Sequence, residues 1–213
     1  MARIKASEAE REISVDKSEK ILQGAMEEFL AHGYAGASMD RVASRAGVSK
    51  ATVYSYFQDK EGLFKTLVEQ MATKRFQSVF GEQPPEGDAS VVLPKLARTA
   101  LAQMIENKEH REFMRVIIGE SGRFPELAQV CVRCLTKPAI ETVTQYLSNH
   151  PQLNLPDPEA TAWILVGSLI SFMKIQEMLH GKEIIPMESD RLIEALTYLI
   201  TGAANSKTST VDS

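Results

Sequence analysis

Apolar residues recur at spacings of three and four along almost the whole chain, and strand-like alternation is missing, so the pattern predicts an all-α protein. Asp16-Lys17-Ser18-Glu19 reads as a capping box at a helix start. Ile21, Leu22, Ala25, Met26, Phe29 and Leu30 then line one face of a helix that Gly33 ends. Three shorter starts follow: Ser38 caps Met39 to Arg45, with Gly47 as the stop, Ser49 caps Lys50 to Phe57, and Asp59 caps a helix running to about Phe80. Gly81 to Gly87, with Pro84 and Pro85, reads as a surface loop. Five further helices are expected over 89–107, 109–121, 125–148, 158–180 and 188–203, about nine helices in total. The Ser/Thr-rich stretch 205–213 carries no core residue and is expected to be a disordered tail.

Composition narrows the class. With 213 residues, 44% apolar and 24% charged, the chain has a globular profile. Met1 to Lys20 holds no apolar run of signal-peptide type, and the most apolar stretch, Ala160 to Met173, is about 14 residues against the roughly 20 of a membrane span. A cytoplasmic protein with no membrane partner is expected, and two cysteines, Cys131 and Cys134, agree with a reducing compartment. The net charge of −4 is uneven: residues 1–75 carry +1 and residues 76–213 carry −5. Only the first third suits a phosphate backbone.

The chemistry that changes the picture lies between Ser38 and Phe57. Val42 and Ala43 turn inward, Ala46 is small where two helices approach, Gly47 permits a tight turn and Val48 fills the corner. Val53 and Phe57, four apart, direct the next helix to the same core. Lys50, Ala51, Thr52, Tyr54, Ser55 and Tyr56 remain outward. Small and hydrogen-bonding groups on a short helix are what a DNA groove admits, and the whole reads as a helix-turn-helix over 38–57.

The string Phe29, Gly33-Tyr34, Ala37-Ser38-Met39, Val42-Ala43, Ala46-Gly47-Val48-Ser49-Lys50, Thr52-Val53-Tyr54, Tyr56-Phe57, Lys60-Glu61 and Leu63 resembles the signature of the tetracycline-repressor (TetR/AcrR) family. The resemblance covers about residues 15–75. It implies a DNA-binding domain over 15–75, a helical effector-binding and dimerisation domain over 76–204, and a homodimeric transcription regulator on a palindromic operator. It also implies roles: the helix from Ser49 to Tyr56 enters the major groove with Ser49 in the DNA-binding set, Lys50, Ala51 and Thr52 are candidates for base contacts, Tyr54 and Tyr56 meet the backbone, and Ser38 and Lys60 bond phosphates at helix starts. Arg41 and Arg45 face outward at helical spacing and are candidates for steering DNA. Gly62 departs from the family, where an acidic residue is common, and is expected to weaken the helix start slightly.

In the larger domain, helix 158–180 is apolar on more than one face and so needs partners on both sides. Leu165, Leu169 and Phe172 with Leu196 and Leu199 are the expected dimer interface, as the resemblance implies, or they belong to one subunit's core. Met104, Phe113, Met114, Val116, Ile117, Trp163 and Met173 are candidates to line a pocket for a small, apolar effector, with Arg115 or Arg133 orienting a polar group; plain core is the other reading. Phe124-Pro125-Glu126-Leu127 resembles a linker of multidrug-type regulators. Cys131 and Cys134 share a helix face as redox-sensor candidates or as buried core thiols. No metal-ligand spacing, cofactor motif or catalytic motif is present, so the expectation is a regulator, not an enzyme, without cofactor. The alternatives are redox-responsive regulation and a helical interaction protein that binds no DNA.

Overall fold

A computed structural model describes the backbone of residues 2–202 and the side chains of residues 15–202; the expected tail over 205–213 lies outside the described residues. Among the described residues there are nine helices and no strand. α1 is Ala2–Gly36, α2 Met39–Ala46, α3 Lys50–Phe57, α4 Lys60–Phe80, α5 Ala89–Glu106 and α6 Lys108–Glu120. α7 runs Pro125–Cys131, widens into a π turn at Val132–Thr136 and continues as Lys137–Ser148. α8 is Pro158–Met173 ending in a π turn, Lys174–Met178, and α9 is Ser189–Gly202.

Three departures from the pattern have physical causes. α1 does not start at Asp16: Asp16 sits mid-helix, and its carboxylate accepts a 2.6 Å bond from Lys20 Nζ one turn on. The preceding residues are mostly Ala, Glu, Arg and Lys, with no Gly or Pro, so an existing helix extends through them cheaply. The second departure is the interruption of α7. Pro138 has no N–H, and its ring would meet the Cys134 carbonyl in a regular α-helix, so the backbone widens just before it. Third, α8 stops earlier than expected, where Leu179 N–H reaches back to Lys174 O at 3.0 Å and His180 takes φ 57°. Gly33 does break α1, at φ 67°, with one more turn to Gly36.

The chain forms two compact units, Met1–Met71 with Glu112–Cys131, and Ala72–Arg111 with Val132–Ser213. The first is built on an aromatic centre. Phe64 meets Phe29 at 5.4 Å, Tyr34 at 5.4 Å and Phe113 at 5.3 Å between ring centroids, and Phe124 closes on Tyr34 at 4.9 Å. Each such pair adds about 0.5–1.5 kcal/mol beyond its buried area. Ile21, Leu22, Ala25 and Met26 complete that core from α1.

In the second unit α5 packs on α8 and α9, and the later half of α7 packs on α8. Leu93, Ala97 and Leu101 recur every four residues on the buried face of α5. They meet a core that includes Ile140 and Val143 of α7, Ala162, Leu165 and Leu169 of α8, and Ile193, Leu196 and Ile200 of α9. The buried Tyr146 donates its hydroxyl to Gly87 O at 2.9 Å, tying the loop after α4 to α7.

Candidate nucleic-acid interface

α2, the turn and α3 are held by their caps. Ser38 is extended at φ −130° and its hydroxyl accepts from Arg41 N–H at 3.3 Å. Gly47 turns the chain at φ 65°, a conformation that residues with a Cβ rarely adopt. Its neighbour Val48 donates to Ala43 O at 3.1 Å. Ser49 then caps α3: its hydroxyl accepts from Thr52 N–H at 3.1 Å and shares a 2.8 Å bond with Thr52 Oγ1. Val53 and Phe57 are buried and anchor α3. Lys50, Ala51 and Ser55 are exposed, Tyr54 is 41% exposed, and Thr52 and Tyr56 are half-buried. The structure thus brings Ser49, Lys50, Ala51, Thr52 and Tyr54 together at the start and outer side of one rigid helix.

The charges near this surface are arranged in a way the pattern did not reveal. Glu28 of α1 is fully buried and takes a 2.6 Å bond from Arg41 Nε, a 3.1 Å bond from Arg45 Nε and a 3.2 Å bond from Ser38 N–H. Arg41 also donates to Gly36 O. Burial alone would raise the Glu28 carboxyl, but these bonds outweigh it and hold it below the ordinary carboxylate range. Arg41 and Arg45, read from spacing as outward-facing, therefore have their guanidiniums engaged in binding α2 to α1. The signal was present in α1, because Glu28 interrupts the apolar face between Ala25 and Phe29.

Lys60 has a similar task. Its ammonium donates to Tyr34 O at 2.8 Å, Ala37 O at 3.2 Å and Ala35 O at 3.3 Å, and lies 4.6 Å from the Tyr34 ring centroid. Partial burial pulls its pKa down. From α6, Glu120 accepts a 3.2 Å bond from Ala35 N–H. Lys50 is paired with Asp40, Nζ to Oδ1 at 2.7 Å, and that hydrogen bond raises its pKa. Asp40 was missed because an acidic residue in the first turn of α2 reads as an ordinary helix start. Gly62 also has a structural reason: a Cβ there would stand 2.6 Å from Phe57 O.

The effector candidates are dispersed. Phe113 and Ile117 belong to the core of the first unit, and Met104 and Met173 are buried in the second. Met114 and Val116 are half-buried, Arg115 pairs with Glu112 one turn away at 3.6 Å, and Arg133 is exposed. Trp163 is 56% exposed on α8. It lines an open groove of about 850 Å³ with Ile164, Gly167, Phe172 and Leu192. Of the dimer candidates, Leu165, Leu169 and Leu196 are buried within their own unit, Phe172 is half-buried and Leu199 is 67% exposed. Tyr198, absent from the expected interface, is a further exposed apolar residue on α9. Cys131 is buried and Cys134 half-buried at the π turn of α7, with no disulfide. Among the described residues no group of three or more metal-ligating side chains forms, and no helix is long and apolar enough to cross a membrane.

Comparison with known proteins agrees with this geometry. The family described as bacterial regulatory proteins, tetR family, matches residues 21–67, and the AefR-like transcriptional repressor C-terminal domain matches residues 91–200. The HTH-type transcriptional regulator YhgD of Bacillus subtilis is 24% identical, over 89% of this chain and 98% of its own length. A TetR-family regulator from Mesorhizobium loti superimposes with a TM-score of 0.73 at 26% identity, over 89% of this chain and 96% of that one. The flavonoid-responsive regulator FrrA superimposes with a TM-score of 0.71 at 28% identity, over 88% and 96%.

Proposed function

The chain belongs to the tetR family of bacterial regulatory proteins and is a DNA-binding transcriptional regulator, and from that premise we propose a homodimeric repressor that leaves a palindromic operator when a small effector binds. The observation that carries the proposal is the construction of α3. Its start is capped by Ser49, its inner side is anchored by Val53 and Phe57, and its outer side presents Lys50, Ala51 and Tyr54. Such a helix enters a major groove without reorganising. In this reading the DNA-binding domain spans 15–75 and the effector and dimer domain 76–204, in the cytoplasm. Lys50, Ala51 and Thr52 read base edges, and Tyr54, Tyr56 and Ser38 meet the backbone.

Two recognition helices about 34 Å apart read successive major grooves, so two copies are needed. The apolar groove of α8 with Trp163, Ile164, Phe172 and Leu192, together with exposed Tyr198 and Leu199 on α9, supports pairing there, because exposed apolar patches mark interaction sites. The effector is a small, largely apolar molecule; the similar regulator FrrA is named as flavonoid-responsive. It acts by population shift: it binds better to a state whose recognition helices are misplaced for adjacent grooves.

Footprinting of the DNA upstream of the chain's own gene at two salt concentrations tests the reading. A palindromic footprint that weakens with salt and is lost in Lys50→Ala and Tyr54→Ala is the expected result. A footprint unchanged in both variants would refute the assignment of α3 as the reading helix.

A further inference from the structure

Arg75, on α4, and His110 and Arg111, in the first turns of α6, all lie in the second unit. His110 is almost fully buried. Arg75 Nη1 donates to His110 Nε2 at 2.7 Å, which fixes that ring nitrogen as an acceptor. The imidazole is therefore neutral, and burial followed by the neighbouring guanidinium pushes its pKa down to about 4. Burial also lowers the Arg75 guanidinium to about 10, and among the described residues no carboxylate opposes the shift. Arg75 thus keeps a full charge in a half-buried place, with a neutral ring as its polar partner. Beside His110 in sequence, Arg111 has Nη1 buried with no hydrogen-bond partner. The α6 start adds to this, since helix N-termini favour negative charge.

A half-buried cation whose polar partner is a neutral ring is only partly compensated, and a guanidinium offers five N–H donors in a planar fork. The group that completes such an arrangement is a planar monoanion that accepts two parallel bonds, which is a carboxylate. A dianionic phosphate would bring more charge than one half-buried guanidinium offsets. We propose that Arg75 and His110 form the recognition site for the carboxylate of an organic acid. Taken with the effector reading above, on which this second step rests, that acid is the releasing effector. The bound carboxylate places negative charge beside His110, so the imidazole takes up a proton more readily in the complex.

The test titrates the full-length chain near pH 7 with straight-chain carboxylates from butanoate to dodecanoate, each beside its primary alcohol. Calorimetry and the imidazole NMR signals are the readouts. Four histidines make the spectrum assignable by comparison with His110→Gln. The expected result is carboxylate binding that the alcohols do not reproduce, with the His110 signals shifted. Loss of the fork in Arg75→Lys, which keeps the charge, should weaken binding about tenfold, and Arg75→Gln should weaken it further. No carboxylate binding to the wild-type chain, equal binding of acid and alcohol, or unchanged binding in a folded Arg75→Lys chain would each overturn the proposal. Operator binding is followed in the same samples. Carboxylate binding that leaves the operator in place keeps this site and overturns the effector reading, whereas an operator complex insensitive to every acid that fails to bind overturns only the site.

Discussion

Acid should destabilise this fold through one imidazole. His110 is neutral in the folded chain, with its pKa pushed down to about 4 by burial and by Arg75, against about 6.5 for an exposed histidine. The unfolded chain therefore binds the proton more readily between these values. Stability from this group is full above about pH 6.5, falls as the pH drops toward 4, and changes no further below it. Linkage across that window gives a loss of about 2 kcal/mol between pH 7 and pH 5 and about 3 kcal/mol in all. Urea unfolding of the wild type and of His110→Gln, at both pH values and one protein concentration, isolates the term. Glutamine can accept from Arg75 but does not titrate, so its stability should fall by about 2 kcal/mol less than that of the wild type. Equal losses in the two chains, or an NMR titration with His110 near its ordinary value, would refute the reasoning.

Other outcomes follow from the first unit and from the exposed surface of the second. Glu28→Ala leaves two part-exposed arginines without their carboxylate and should cost about 3 kcal/mol in urea unfolding. Asp40→Asn removes the acidic partner of Lys50 and should tighten operator binding and steepen its salt slope by about 0.9, as measured by anisotropy across a salt series. Gly62→Ala sets a Cβ against Phe57 O and should cost about 1–3 kcal/mol, read from the thermal midpoint. Leu199→Glu should convert the proposed dimer to monomer in sedimentation without loss of helix content, since the residue is exposed within its own chain.

Helix existence was legible because the three-and-four periodicity of α1, α5 and α8 reports burial directly, and Ser38, Gly47 and Ser49 mark the boundaries of α2 and α3 by local chemistry. What local pattern does not carry is competition between a cap and an existing helix. Asp16 has the right composition for a start, yet the residues before it are good helix formers and the helix runs through. Cys131 and Cys134 show the same limit: their shared face presumes regular periodicity, and Pro138 widens the turn that begins just after Cys131. On α3 the outward set was legible from the anchors Val53 and Phe57 alone. The tasks of Arg41, Arg45 and Lys60 were not, because their partners Glu28, Tyr34, Ala35 and Ala37 lie 13 to 26 residues away. The α8 stripe was read as apolar on more than one face, but which residues take which side was not legible: Leu165 and Leu169 face their own core while Trp163 and Ile164 face out, a division that only tertiary packing makes.

The charges around α3 also bear on why a second copy is required. Arg41 and Arg45 close on Glu28, Lys60 closes on three carbonyls and Lys50 closes on Asp40. Each contact stiffens the frame that presents α3, and each reduces the positive charge available to phosphates. A unit built this way contacts DNA largely through groups such as Ala51, Thr52 and Tyr54, with less counterion release to add affinity than the same cations would give if unengaged. Affinity in the range of specific regulators then has to come from doubling the contact, which the exposed α8 and α9 surface provides in the proposed dimer. The two features make a joint prediction: Leu199→Glu should abolish the operator binding that Asp40→Asn strengthens, and the double variant should behave as Leu199→Glu does. A monomeric variant that held its operator with undiminished affinity would break the link between the neutralised reading head and the need for a partner.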